Sequence, residues 1–413
     1  MSSITNAAEH AIDDRRNKQG LMKQPIAVWA VFFASVIAFM GMGLVNPILR
    51  ELSEKLHAQP SEVTLLFTSY NAVMAVAMLI TSTVSARLGI KWTLIAGIGV
   101  IATVSFLGGF AGDIWTLVGL RAGWGLGNAL FVATALSALV SLSSSGTAKA
   151  IILYEAAAGI GMSVGPWLGG TLGDINWRGP FFGVSALMVI GFIALAAFMP
   201  ARKGAGADAP KPKTSLAAPF RALKQHRSLL VLGIVAALYN IGFFTIMAYA
   251  PFVMGLHPKE MGYVFLGWGV LLAITSVYVA PILQRKFGTL KSLCFMLVLF
   301  VADLLVMGIF TSTKEAVIAA VICAGGILGN INTLITTAVM DAAPVERSTA
   351  SSAYSFLRFI GAAISPYMAG KLAEHFNSSV PFLVGAGFVL LSIAFIGLNA
   401  KHIRHVDRTE SAH

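Results

Sequence analysis

The sequence predicts an all-α membrane protein, with twelve transmembrane helices arranged as two pseudo-symmetric six-helix halves. Three observations lead there. Only 11% of the 413 residues are charged while 57% are hydrophobic, and the mean hydropathy is +0.79. A soluble globular chain carries about 25% charged residues, so this chain cannot clothe a water-facing surface. The charges are gathered between apolar runs of about 20 residues, the length that crosses a bilayer as a helix. Finally, the first six runs resemble the last six.

The runs cover 26–48, 63–86, 92–112, 114–140, 148–173 and 179–199, then 228–252, 260–283, 290–310, 315–340, 347–371 and 379–399. This divides the chain into an N-tail (1–25), a six-helix bundle (26–199), a linker (200–227), a second bundle (228–399) and a C-tail (400–413). The linker is rich in Pro, Gly, Ala and Lys, and the part from Ser215 to Arg227 fits either a basic amphipathic helix on the membrane or a solvated connection. The N-terminal region is too long and too poorly flanked for a cleaved signal peptide, so the first run reads as an uncleaved span.

An even number of spans puts both ends on one side. The tails, the turns at Arg87/Lys91, Lys149, Arg285/Lys286/Lys291 and Arg347, and the linker hold 21 of the 29 basic residues. The opposite loops hold six: Arg50, Lys55, Arg178, Lys259, Lys314 and Lys371. The positive-inside rule makes the first set cytoplasmic, in a bacterial-type inner membrane. The net charge of +11 is thereby explained by topology, without a nucleic-acid partner. Cys294 and Cys323 have no Cys or His at ligand spacing, and the eight histidines fall in tails, loops or near span ends, so no metal site is expected.

The internal repeat is specific. "RAGWGLGN" (121–128) matches "CAGGILGN" (323–330) at five of eight positions. At an offset of 200, "GMSVGPWLGGTLGDINWRGPF" aligns with "GAAISPYMAGKLAEHFNSSVP", keeping Gly161/Gly361, Pro166/Pro366, Gly170/Gly370 and Leu172/Leu372. The turns "ARLGIK" (86–91) and "RKFGTLK" (285–291) also correspond. Parallel repeats around a midplane cavity are a transporter design. The run Gly159-x-Gly161-x3-Gly165 is close to a dinucleotide fingerprint, but that motif needs a preceding strand, and here both flanks belong to a membrane span.

These residues resemble the major facilitator superfamily, in particular its twelve-span drug/proton antiporters. The turn after span 2 carries Arg87, Gly89 and Lys91 of the family's gating motif, with Ala86 where the family has an acid, leaving that charged gate incomplete. Arg121 in span 4 resembles the family's membrane arginine, to which the resemblance assigns a part in proton transfer. An arginine at that depth costs about 2.5–3.5 kcal/mol to insert and marks a functional or paired position. Gly161, Gly165, Pro166, Gly169 and Gly170 reproduce the main part of the exporter motif, with Ile152 at its more distant leading glycine. Glycines four apart let a neighbouring backbone approach, and the proline removes a helix hydrogen bond at the interface between halves.

Four ionisable residues fall within spans: Arg121, Glu155, Asp303 and Arg358. Glu155 lies about six residues (~9 Å) from Lys149 and is the candidate proton carrier, counter-charge to a cationic substrate, or salt-bridge partner of an arginine. Arg358 suits either an acid partner or an anionic substrate. Asp303 lies on a peripheral span, where a structural partner is expected. The remaining candidate cavity residues are Asn46, Tyr70, Asn71, Asn128, Phe131, Tyr154, Tyr239, Asn240, Phe243, Asn330, Asn332 and Tyr354. Aromatic faces with a few amides and one acid suit bulky amphipathic compounds, often cationic.

The resemblance implies export of small hydrophobic or amphipathic compounds against an inward flow of protons; no Walker motif, zinc helix or nucleophile elbow appears and nothing indicates an oligomer, so a monomer with no catalytic residue and no cofactor is expected. The proton gradient is its energy source. Alternatives are an exporter of one metabolite or lipid-linked species, and a non-transporting receptor that keeps the fold.

Overall fold

The computed structural model describes residues 24–144, 147–200, 218–342, 345 and 347–403, with the side chains at 82, 147–149, 151, 152, 341, 347 and 348 excepted. Among these, twelve long helices carry the fold. The first half contains α1 (Ile26–Gly43), α2 (Pro60–Leu88), α3 (Ile90–Gly108), α4 (Ile114–Leu142), α5 (Thr147–Ile175) and α6 (Gly179–Phe198). The second contains α7 (Arg227–Met254), α8 (Pro258–Ile274, running on to Phe287), α9 (Thr289–Ile309), α10 (Lys314–Asp341), α11 (Arg347–His375) and α12 (Val380–Leu398). Among the described residues, ten helical segments are long and apolar enough to cross a membrane by length and composition. The other two of the twelve, α5 and α11, span 29 residues each. Most of both tails, most of the linker, and the side chains of Lys149, Ile152 and Arg347 lie outside the described residues.

Local sequence explains the turns, and the repeat is visible in them. Gly89 and Gly288 join α2 to α3 and α8 to α9 at φ of 84° and 83°, a region open to glycine and strained for other residues. On the opposite side, α2 and α8 both start at a proline behind a capping box, Gln59 with Glu62 and His257 with Glu260. The repeat is broken within α8, where Thr275–Val279 forms a π-turn before the helix resumes at Ala280. The short helix Ala218–Gln225 does not lie free. It buries Pro219, Ala222 and Leu223, and Phe220 meets Phe356 of α11 edge-on at 5.2 Å.

Each half has its own apolar core, and α5 and α11 join them. Along α5, Gly161, Gly165, Gly169 and Gly173 face α1 of the same half and the short turn that follows it: a Cβ at Gly161 would sit 2.5 Å from the Val36 carbonyl oxygen, and one at Gly169 would collide with the Leu44 backbone. The Pro166 ring is accommodated by Gly43, where a Cβ would meet it at 2.9 Å. A second stripe, Gly159, Ser163, Pro166 and Gly170, faces α8 of the other half. α11 repeats the arrangement, with Gly361 against Ala237 of α7 and Gly370 against Ser61 of α2. The exporter motif therefore contains two interfaces, one within a half and one between halves.

Gly169→Ala is expected to lower stability by about 1–3 kcal/mol, the usual cost of overpacking a close contact. Gly119→Ala, where an added Cβ meets nothing within 4 Å, is expected to be neutral or slightly stabilising. Thermal unfolding of the two purified variants in detergent checks the difference.

Candidate functional site

The site is the cleft between the halves, and α5 shows where it opens. At its outer end, remote from the tails, a Cβ at Gly170 would collide with the Pro258 carbonyl, and one at Gly262 would sit 2.9 Å from the Pro166 carbonyl oxygen. Further along, a Cβ at Gly269 would lie 2.5 Å from Ser163 Cα. Nearer the tails, a Cβ at Gly159 would meet only Ala273, at an ordinary 3.6 Å. One turn beyond Gly159 stands Glu155, and its side chain is exposed. Positions 155, 159, 162 and 166 form one helical stripe, and Met162 within it packs against both cores. Glu155 thus lies on the inter-half face one turn beyond this looser contact, at an exposed position. Among the described residues it has no ion-pair partner, and none of the described arginines makes the salt bridge considered for it.

Arg121 is treated differently. It is fully buried, with its guanidinium 4.8 Å from the Tyr70 ring and 4.6 Å from the Trp124 ring, and Nη1 reaches the Gly41 carbonyl at 3.5 Å. Gly41 is required there, because a Cβ would touch the Trp124 ring at 2.9 Å. Asn128 donates to the Tyr70 hydroxyl and to the Ala38 carbonyl at 3.3 Å, which fixes the ring orientation. The arginine is held between two aromatic rings, with no acid as ion-pair partner among the described residues.

Arg358, half-buried on α11, faces a neutral network. Its Nη2 donates to Asn332 Oδ1 at 3.3 Å, the same oxygen that accepts the Tyr239 hydroxyl at 2.7 Å. Tyr354, one turn earlier, lies beside the guanidinium. Three helices, α7, α10 and α11, thereby converge on one cation.

Several expected cavity residues are inaccessible in this conformation. Phe131 is fully buried, because its backbone packs at Gly97 of α3, where a Cβ would lie 3.0 Å from its nitrogen. Asn240 and Asn330 are buried and turn back to carbonyls of their own helices, Ala236 and Gly326. Phe243 stacks on Trp268 with centroids 5.9 Å apart. Asn46 and Asn71 instead bridge the halves, to Met247 Sδ at 3.4 Å and to the Ala362 carbonyl at 3.4 Å. Tyr154 is half-buried, edge-on to Phe39 at 5.5 Å, with its hydroxyl on the Val132 carbonyl. Lys91 caps the end of α6 within its own half, at the Ala196 and Met199 carbonyls, while Arg87 is exposed. Asp303, for which a partner is expected, has a buried Oδ2 with no hydrogen bond.

One cross-half contact is not foreseen from the sequence. Glu374, at the outer end of α11, accepts from the Ser61 backbone N–H of α2 at 2.9 Å and from Lys371 Nζ at 2.9 Å. Its signal lies in the repeat, which places Asp174 opposite Glu374. Partial burial disfavours the Glu374 charge, but the Ser61 and Lys371 bonds outweigh it and hold the carboxyl below its ordinary value of 4.5.

Two six-helix bundles joined by close backbone contacts at their outer ends and looser ones toward the tails, with charges within the joining helices, define a multi-pass membrane transporter of small molecules. The chain matches the model of the Major Facilitator Superfamily over residues 31–366 and again over 254–412, and it belongs to that superfamily. It is 50% identical over 388 residues to the multidrug efflux protein YfmO of Bacillus subtilis strain 168, covering 94% of this chain and 96% of the relative. To the quinolone resistance protein NorA of Staphylococcus aureus strain MSSA476 it is 21% identical over 389 residues, covering 91% and 97%. A mutant of the nucleoside transporter NupG superposes with a TM-score of 0.74 at 12% identity, over 90% of this chain and 99% of that one. A bacterial homolog to the human lysosomal transporter Spinster, inward-facing and unoccupied, gives a TM-score of 0.67 at 16% identity, over 93% and 96%. These structural likenesses speak for the fold.

Gly170→Ala and Glu374→Gln are both expected to loosen the outer closure. Because the Glu374 pKa is depressed, its contribution is complete above the ordinary carboxylate value of 4.5 and disappears as pH falls below it. Maleimide labelling of Ser61→Cys, buried in the closed state, checks this. In a background lacking Cys294 and Cys323, its rate relative to that of a free thiol at the same pH, which removes the loss of thiolate on acidification, should rise in both variants at neutral pH and in the parent only at acid pH.

Proposed function

We propose that this chain exports hydrophobic and amphipathic compounds, many of them cationic, in exchange for protons by alternating access. It acts as a monomer in the bacterial inner membrane, with both tails in the cytoplasm and without a cofactor. The observation that carries this reading is Glu155, an acid on the inter-half stripe of α5, exposed where α5 and α8 separate. A carboxylate there is able to hold a proton or the cationic end of a substrate, and closing the cleft over it would force an exchange of one for the other. The 50% identity to a multidrug efflux protein supports the substrate class. The excess of basic residues on the tail side supports the orientation, which makes the open side cytoplasmic.

Everted vesicles offered a panel of dyes and drugs from the medium, with and without a proton gradient, test the exchange. Gradient-driven uptake of several unrelated compounds is expected in the parent, and transport of a single metabolite would replace the multidrug reading. Glu155→Gln should reduce gradient-driven flux by at least about tenfold and flatten its pH dependence; a variant with the parental profile would remove Glu155 as the coupling site.

A further inference from the structure

We propose that the C-terminal wall of the cleft binds an anionic group of the cargo through Arg358. The preferred substrates are then amphipathic molecules carrying both an amine and a carboxylate or comparable acceptor, and not simple cations. The inference rests on the export reading and narrows its substrate class.

Arg358 is a cation within a membrane helix that no acid neutralises: among the described residues, no carboxylate lies within ion-pair distance of it. Its partner, Asn332 Oδ1, is a neutral acceptor already engaged by the Tyr239 hydroxyl. That network orients the guanidinium without cancelling its charge. A guanidinium offers five N–H donors in a planar fork that matches a carboxylate, and the bond to Asn332 occupies one of its nitrogens. Arg121 provides the internal contrast. It is fully buried and enclosed by two rings, so nothing from solution can reach it. Arg358 is half-buried, and among the described residues no aromatic ring lies over its guanidinium as two do at Arg121.

The repeat register shows that the two halves divide the charges. At the offset of 200, Glu155 corresponds to Ser355 and Arg358 to Ala158. Each half therefore contributes one charge of opposite sign from equivalent helices, within one turn of the same level. A simple cation attracted by Glu155 meets, at nearly the same depth in the other half, a positive charge that no acid compensates among the described residues. A molecule with both charges satisfies both walls, and this is selection by complementarity together with repulsion.

Tetramethylrhodamine, with a free carboxylate, and its methyl ester form a matched probe pair. Binding to the purified full chain is read by fluorescence anisotropy, separately from flux in everted vesicles. The parent is expected to bind the free acid about tenfold more tightly than the ester, Arg358→Gln to bring that ratio to about one, and Arg358→Lys to keep a several-fold preference. A parental ratio near one overturns the proposal, as does a monodisperse Arg358→Gln protein with the parental ratio. Should Arg358→Gln fail to fold, the parental and Arg358→Lys ratios decide. Should it weaken both dyes alike and Glu155→Gln restore them, Arg358 is an internal counter-charge and the proposal falls. Preference in binding without gradient-driven flux of either dye removes the export reading and keeps the recognition; flux of both without preference does the reverse.

Discussion

Inside a bilayer, apolar side chains gain little by leaving lipid for one another, so helices associate where their backbones can touch. That constraint organises this protein. α5 presents one small-residue stripe to α1 and a second to α8, and α11 does the same toward α7 and α2. The glycines retained between the repeats fall into two pairs with different roles. Gly161 and Gly361 join helices within a half, while Gly170 and Gly370 join one half to the other. Because the second pair sits at the outer ends, the halves meet there by backbone and diverge toward the tails. The cleft is what remains where this contact ends.

The intramembrane charges are then sorted by how they are accommodated. Inserting an arginine costs about 2.5–3.5 kcal/mol, and a desolvated cation over an aromatic face recovers about 2 kcal/mol. With rings on two sides, at 4.8 and 4.6 Å, Arg121 is offset within its own site and can remain a fixed part of the N-terminal core. Arg358 has a shared amide oxygen and neighbouring tyrosines, and Glu155 has no ion-pair partner among the described residues. Among the described residues neither has the offset that Arg121 has, and in the proposed mechanism it is the cleft that brings water or cargo to them.

The architecture is legible in the sequence because each of its signals is local or repeated. Apolar run length sets the helices, Gly89 and Gly288 supply the positive-φ turns, and the 200-residue offset reveals the two halves. Glu155 stands out because an acid in a span is costly wherever it points. What the sequence does not convey is direction. Phe131, Asn240 and Asn330 have the chemistry of cavity residues, yet their helices turn them into the core or onto their own backbones. Lys91 has the spacing of a gate but finds the free carbonyls of α6 nearest. The Glu374 contact joins residues 313 apart through a backbone N–H, which no side-chain pattern announces.

The meeting of Gly170 with Gly262 also fixes a mechanical scale. From Gly262 to the end of α8 at Phe287 is 25 residues, or about 37 Å at 1.5 Å per residue. With the fulcrum at the outer glycine, a rotation of about 10° moves neighbouring atoms by well under 1 Å and the far end of the helix by about 6 Å. The protein is geared: a joint too tight for one added methyl group drives an opening on the scale of a drug-sized molecule. The π-turn at Thr275–Val279 lies midway along this arm, where the change in helix winding helps set how much of the stroke reaches the mouth on the tail side.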